Sequence, residues 1–440
     1  MTDTSGSGFW PTFQTHEAPV WVAPHSPISR FDIDRQVDLY REYADRGAAL
    51  LVTGEIAPGC PDLEMKGPVI RIRAACSERG DPEAFYLFGP PYPNFIPAEV
   101  GIELVKKTVS SLAVPLVANI GDVPEGPDGI EVLRRLADAG AAAFEIALSC
   151  PNLHRYSQDG ARVWLNESLK IVETIRELTG LPIALKIRYA HLRIGAKEII
   201  ESCWNAGVDQ LSIFDALKAI CPPDISGAVR PPYRNFPALS FGGASGPWGR
   251  YLLFTTIALM GSARASIPGC GISLSAVGGI LNLEHVIELV ALGADSVQLS
   301  SVVMWEGFKS ISRIVDGVKA YRAEHWEDGL CPCAPGFKPL PVYDSATEGL
   351  TEERGEKYWE SWMADNPVSR TDYRRCIKCG ICCENPCLAR TATRNRPTVK
   401  DDLCSGCGWC AEICPVGAID LVERERVRER RAEYPIEQDR

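Results

Sequence analysis

A chain of 440 residues, 45% of them hydrophobic, has material for one large domain and a smaller one. Its net charge of −11 and pI near 5.2 argue against a nucleic-acid groove, because a surface that tracks phosphates shows as a basic excess. No run approaches the roughly 20 apolar residues of a bilayer span, and the opening MTDTSGSGFWPTFQ lacks the basic and apolar regions of a secretion signal, so a soluble cytoplasmic protein is expected.

Short runs rich in Val, Ile, Leu and Ala recur along the first three quarters of the chain. Strands are predicted at 19–23, 48–54, 115–120, 142–149, 182–188, 209–214, 272–278 and 295–300. Between them lie helical stretches such as 129–140, 169–180 and 283–294, each with a Gly at its end or one residue before it, where a helix cap belongs. Eight near-continuous apolar strands separated by helices predict an α/β fold of the (β/α)8 TIM barrel type, with both faces of every strand covered. A doubly wound open sheet is the structural alternative, but no G-x-G-x-x-G follows an early strand. The barrel is assigned to residues 1–325.

Residues 326–369 change texture to Pro, Gly and charge, which reads as a linker or a strap. Cys331 and Cys333 within it have no second pair at metal spacing and read as structural or free thiols. Residues 370–440 form a small C-terminal domain with a tail. The VRERR run at 427–431 mixes signs and reads as a solvated helix face.

Of 17 cysteines, nine fall between Cys376 and Cys414, a density that points to metal rather than disulfides in an intracellular chain. Cys404, Cys407, Cys410 and Cys414 follow C-x2-C-x2-C-x3-C-P, the run in which three thiolates hold one iron–sulfur cluster and the fourth reaches the other. Cys376, Cys379 and Cys382 repeat the first half. The position three residues further on is Pro386, Cys387 follows it, and Cys383 is an unplaced extra. The expected sets are Cys376, Cys379, Cys382 and Cys414 on one [4Fe-4S] cluster, and Cys404, Cys407, Cys410 and Cys387 on the other; Cys383 stays open as the eighth ligand. A zinc ribbon would leave the third cysteine of each triplet without a task.

A two-cluster module moves single electrons, so the barrel should hold a group that converts single electrons to pairs, and flavin is the usual one. A phosphate needs Gly-rich turns at the C-terminal face beyond strands seven and eight. AVGGI (276–280) and QLSSVV (298–303) sit there, and FGGASG (241–246) precedes them. These turns put Gly243, Ser245, Gly246, Gly278, Gly279, Ser300 and Ser301 forward as cofactor-binding residues.

FEIALSCPN (144–152), then PIALKI, GGASG, AVGGI and QLSSVV in that order, resembles the FMN barrel of the dihydroorotate and dihydropyrimidine dehydrogenase families. The barrel joined to a C-terminal two-cluster, bacterial-type ferredoxin is similar to pyrimidine-reducing dehydrogenase subunits of bacteria. The resemblance implies FMN, two [4Fe-4S] clusters and an oxidoreductase acting on a C–C bond of a small ring, with hydride exchanged at flavin N5. It implies that Cys150 is the proton donor or acceptor, a task a thiol of pKa about 8.5 can perform; a small buried hydrophobe is the alternative. It places Lys186 and Asn119 at the flavin. A lysine inside an apolar strand needs a partner in any case. Arg188 lies two residues on and on the same side of the strand; flavin or anionic substrate on one hand, and a structural ion pair on the other, stay open.

Asn94 and Asn152 match two of the family's substrate-reading asparagines. The sequence departs elsewhere: Ala147 stands where the family has Asn, Asp215 and Ala216 where it has Asn-Thr, and Gly54 where it has a flavin-side Lys. Loss of amide hydrogen-bonders costs a pyrimidine about 1–3 kcal/mol each. The expected substrate is therefore a cyclic compound other than a pyrimidine, read by Asn94, Asn152, Asp215, His154 and Arg188; dihydropyrimidine or dihydroorotate is the alternative. His154, Arg155 and Tyr156 read equally as an exposed polar loop. A relay or bifurcating subunit is the reading of a different class. With no dinucleotide fingerprint, a ferredoxin or an NAD(P)H- and FAD-dependent reductase subunit is the expected electron partner, and homo-oligomerisation is expected from base rates.

Overall fold

The computed structural model describes residues 8–24, 32–57, 71–74, 85–88, 95–121, 127–148, 160–213, 217–220, 241–245, 249–325, 367–383, 387, 389–393, 396–404 and 406–423. Two compact units divide the chain, Met1–Val342 and Tyr343–Arg440.

In the first unit the eight predicted strands are all present: β1 (Val20–Val22), β2 (Leu51–Val52), β3 (Leu116–Ile120), β4 (Ala143–Ile146), β5 (Ile183–Ile187), β6 (Gln210–Ile213), β7 (Ser273–Val277) and β8 (Ser296–Leu299). Each pairs in parallel with its neighbour from β2 round to β8, and β8 pairs with β1 through Val20 and Val297. A hydrogen bond from Ala49 N–H to the Val20 carbonyl, 2.8 Å, closes the ring between β1 and β2. Parallel strands must be covered on both faces, which is why these segments read as unbroken apolar runs. Two short parallel additions, Ile56–Ala57 and Ile96–Pro97, extend the sheet from β3, where Ile56 pairs with Ile120. A separate antiparallel sheet joins Leu217–Ile220, Phe241–Ser245, Phe85–Phe88 and Arg71–Ala74.

The helices are α1 (Ile33–Asp45), α2 (Ala98–Ser111), α3 (Pro127–Asp138), α4 (Ala161–Leu178), α5 (Ala196–Asn205), α6 (Arg250–Ala265), α7 (Leu283–Ala291), α8 (Ser301–Glu306) and α9 (Lys309–His325). Gly140 and Gly293 lie at φ +101° and +112°, as their place after α3 and α7 demands. Gly180 departs from that expectation. Helix α4 already ends at Leu178, Thr179 is extended, and its hydroxyl accepts the Leu181 N–H at 3.1 Å, so a threonine turn replaces the glycine cap.

The same brace occurs twice at the strand starts. Asp209, just before β6, accepts the Ile183 N–H of β5 at 2.7 Å and pairs with Arg176 of α4 at 2.5 Å. Asp295, just before β8, accepts the Leu274 N–H of β7 at 2.7 Å and pairs with Arg264 of α6. Each arginine also donates to backbone carbonyls, Arg176 to Gly207 and Leu181, Arg264 to Ile272 and Gly293. Helix, strand and neighbouring strand are thereby tied at one point in two alternate repeats. Asp209→Ala would strand the Arg176 guanidinium and the Ile183 N–H; we expect a loss of about 3 kcal/mol, measured as a lower urea midpoint at unchanged m value.

In the second unit, Val368–Thr371 pairs antiparallel with Ile419–Val422, and Arg390–Thr393 with Arg396–Val399. The cysteine loops lie between these ladders in sequence.

Candidate functional site

The barrel interior is polar. Counting inward along the strands, Asn119 of β3, Glu145 of β4, Ser212 of β6, Ser275 of β7 and Gln298 of β8 all face one another and are all buried. Glu145 accepts from Asn119 Nδ2 at 2.6 Å on one oxygen and from the Ser212 hydroxyl on the other. Gln298 Nε2 donates to Ser212 and Ser275, both at 3.1 Å, and the Asn119 N–H donates to Thr53 Oγ1 at 2.9 Å. The Asn119 Oδ1 and Gln298 Oε1 atoms are buried with no hydrogen-bond partner. Orphaned acceptors of this kind point to a group that belongs there.

Lys186 lies in β5, 6% exposed, in register with Ser212, and Arg188 follows at 8%. The Arg188 N–H donates to His191 Nδ1 at 3.2 Å, and the His191 ring stacks on buried Trp164 of α4, 3.7 Å between centroids. Beyond β7, Gly278 and Gly279 are both left-handed, at φ +102° and +69°. A Cβ on Gly279 would stand 3.0 Å from the Arg250 backbone nitrogen at the start of α6. Beyond β8, Ser300 and Ser301 lead into the short helix α8. Turns after strands seven and eight with a short extra helix are the barrel's usual phosphate cradle, because the first N–H groups of a helix have no acceptor within it.

Gly243 and Ser245 differ from the expected turn: both lie in the extended strand Phe241–Ser245, where a glycine pair lets two backbones approach closely. Gly54 and Ala147 are buried, and the Ala147 N–H bonds the Ile120 carbonyl at 2.8 Å. Asn94, Cys150, Asn152, His154, Arg155, Tyr156, Asp215, Ala216, Gly246, Cys331 and Cys333 lie outside the described residues. Glu145, Ser212 and Gln298 escaped the sequence reading. The signal for Glu145 was present, since a carboxylate inside an apolar strand calls for the same scrutiny as Lys186.

In the second unit one cavity is lined by Cys376, Cys379, Cys382 and Cys414 together, the set expected for the first cluster. Among the described residues no group of three or more His, Cys, Asp or Glu is placed to hold a single metal ion. The Cys414 sulfur accepts the Ala418 N–H at 3.2 Å. The two C-x2-C-x2-C loops share one backbone pattern. Lys378 and Gly380 are left-handed in the first, at φ 57° and 83°, and Gly406 and Gly408 occupy the equivalent places in the second, at φ 70° and 79°. Alternation of this kind turns successive N–H groups toward a common concavity, a recurrent device at iron–sulfur sites. Cys383 lies 3.8 Å from Cys382, sulfur to sulfur, and its thiol is pushed up to about 11, first by burial and then by Cys382.

The 4Fe-4S binding domain family matches residues 397–420. The chain is 29% identical over 227 residues to the catalytic subunit of dihydroorotate dehydrogenase B (NAD(+)) from Pyrococcus furiosus, covering 49% of this chain and 66% of that protein. It is 23% identical over 315 residues to the NAD-dependent dihydropyrimidine dehydrogenase subunit PreA of Escherichia coli K12, covering 70% and 71%. A putative dihydroorotate dehydrogenase A (fumarate) from Aeropyrum pernix is 25% identical over 264 residues, 55% of this chain and 78% of that one. This chain is a homologue of these dehydrogenases and carries an iron–sulfur domain at its C-terminal end. It spans 66% of the Pyrococcus furiosus protein and 56% of its Pyrococcus abyssi counterpart. The family match takes in Cys404, Cys407, Cys410 and Cys414; the first cysteine triplet lies upstream of it. No helix among the described residues is long and apolar enough to cross a membrane.

Two outcomes follow from these surroundings. Burial, with Arg188 as the second cause, lowers the His191 pKa from 6.5 to about 2. The folded state therefore holds this proton less tightly than the unfolded chain, and the ring's contribution to stability is complete above about pH 6.5 and lost as pH falls toward 2. Between pH 7 and pH 5 the wild-type barrel should lose about 2 kcal/mol that His191→Gln does not lose, read from urea unfolding at the two pH values. In the second unit, a Cβ at Gly406 would meet the Pro367 carbonyl at 2.5 Å on a left-handed backbone. Gly406→Ala should accordingly lower the iron bound per chain, measured on anaerobically purified protein.

Proposed function

We propose that this chain is an FMN- and iron–sulfur-dependent oxidoreductase of the dihydroorotate and dihydropyrimidine dehydrogenase type, which forms or reduces a C–C double bond in a small ring. The observation that carries it is the barrel rim. Buried Lys186, the orphaned Asn119 acceptor, the left-handed Gly278–Gly279 turn and the Ser300–Ser301 helix start belong to one barrel, and the chain continues into paired cysteine loops. These residues fit a flavin with a phosphate tail. FMN, when bound, supplies hydride exchange with a substrate and single-electron exchange with the clusters.

The residues of the chain divide the remaining work. Gly278, Gly279, Ser300 and Ser301 hold the phosphate by backbone N–H groups and hydroxyls. Lys186 and Asn119 meet the ring from below, and Gly243, Ser245 and Gly246 flank it. Cys150 gives or takes the proton at the carbon next to the one that exchanges hydride. Asn94, Asn152, His154, Asp215 and Arg188 read the substrate. Cys376, Cys379, Cys382 and Cys414 hold one [4Fe-4S] cluster, and Cys404, Cys407, Cys410 and Cys387 a second; the recurrence of the left-handed pair in both loops supports two. Electrons then pass to or from a ferredoxin or an NAD(P)H- and FAD-dependent reductase subunit, in a cytoplasmic, homo-oligomeric enzyme.

The relatives favour a dihydropyrimidine or dihydroorotate as substrate. Gly54 and Ala147 favour a different ring, since buried Ala147 offers no amide where a pyrimidine edge would need one. One experiment addresses both. Anaerobic protein with its flavin is mixed in turn with dihydroorotate, dihydrouracil and cyclic enones or dihydroaromatic acids, and the flavin absorption is followed. Change with one class names the substrate, and no change with any class supports a relay subunit. With the responsive class, Cys150→Ser should cut turnover by about 10²–10⁴-fold at unchanged flavin content. Undiminished turnover would remove Cys150 from the mechanism.

A further inference from the structure

The cysteine unit holds a buried cation for which the described residues supply no carboxylate. Arg390, at the start of the strand Arg390–Thr393, is 3% exposed. One terminal nitrogen donates to Thr371 Oγ1 at 3.0 Å and reaches Cys382 Sγ at 3.6 Å. The other donates to Ser369 Oγ at 3.1 Å, and Nε has no partner. Ser369 Oγ lies in turn 3.8 Å from Cys404 Sγ. Neighbouring arginines are served differently: Arg370 pairs with Asp401 at 2.8 Å, and Arg375 with Asp372 at 3.0 Å and with Asp420.

A buried guanidinium without a counter-ion is costly, so another anion must meet its charge. Among the described residues the group within its reach that can carry that charge is the Cys382 sulfur, a thiolate when it ligates iron. We infer that Arg390 is a redox-positioning residue: its guanidinium favours the reduced state of the cluster ligated through Cys382, and acts on the Cys404-ligated cluster only through the neutral hydroxyl of Ser369. This rests on the two-cluster reading above. Reduction adds negative charge to a thiolate-bound cluster. A fixed cation in a poorly screening interior stabilises that added charge, and N–H contacts to ligand sulfur act in the same direction. Both clusters would carry four thiolates, so ligand type does not separate them; the asymmetric reach of one side chain does. The first electron then settles on the Cys382 cluster.

The test uses full-length, anaerobically purified protein with iron and sulfide determined per chain. Stepwise one-electron reduction of each cluster, with dithionite as the reductant, is followed by low-temperature electron paramagnetic resonance. Wild type should hold about eight iron and show two separated midpoints. In Arg390→Gln one midpoint should fall by more than the other, narrowing their separation; Arg390→Lys, which keeps charge but loses the fork, should lie between. Ser369→Ala should lower the other midpoint alone. Wild-type midpoints in iron-replete R390Q overturn the inference. So does loss of iron from both Arg390 variants, which would make the residue structural only. If R390K alone loads iron, unchanged midpoints in it count against the inference as well. About four iron in wild type would instead overturn the two-cluster reading, a separate failure visible before any variant is made.

Discussion

A single buried carboxyl group organises the inside of the barrel. Glu145 bonds Asn119 on one side and Ser212 on the other, Ser212 bonds Gln298, Gln298 bonds Ser275, and Asn119 reaches back to Thr53. The chain of contacts touches β3, β4, β6, β7, β8 and the end of β2, six of the eight strands. Most barrels of this kind fill their interior with layers of branched apolar side chains. Here a polar layer replaces one of them, and a polar layer tolerates little rearrangement, because each member left unpaired costs more than a misplaced methyl group. The register of the strands at this level is therefore fixed by hydrogen bonds as well as by packing, and the side chains beside it, Lys186 in register with Ser212 among them, inherit a rigid frame.

That frame explains what the sequence revealed and what it hid. All eight strands were legible because two-sided burial leaves an apolar run that turns and helices interrupt, and Gly140 and Gly293 marked helix ends because only a residue without Cβ sits easily at their φ values. Gly180 misled, since the extended Thr179, one residue before it, already turns the chain with its hydroxyl. Glu145 stood out as an acid inside an apolar strand, but its role did not: in AFEIALS a lone acid also reads as the polar beat of an alternating strand, and its partners lie 26 and 67 residues away. Gly243 and Ser245 were read as a turn because glycine serves turns and close-packed strands alike, and composition does not distinguish the two.

The cysteine module was the most legible part, because the spacing of iron–sulfur ligands is set by the cluster and leaves little freedom to the chain. Its environment was not legible. No spacing rule selects Arg390, which comes eight residues after Cys382, or Ser369, which lies on the preceding strand 35 residues before Cys404. Both reach the sulfurs through the two small ladders, so their role depends on tertiary pairing that a motif does not encode.

The two cysteine loops, alike in spacing, differ in what holds them. Gly406 cannot carry a Cβ, because the Pro367 carbonyl fills the space; its counterpart Lys378 has an exposed side chain and adopts the same left-handed backbone at a cost of about 1–2 kcal/mol. A strained non-glycine residue persists only where its surroundings over-determine it. Around Lys378 those surroundings are the two flanking cysteines and the cavity they line with Cys382 and Cys414. Ligation would supply energy that keeps this loop in place, whereas in the second loop both left-handed positions are glycines, which adopt that backbone without the same cost. The electrostatic surroundings of the two loops diverge along the same line, with the buried guanidinium placed directly against the loop that ends in Cys382.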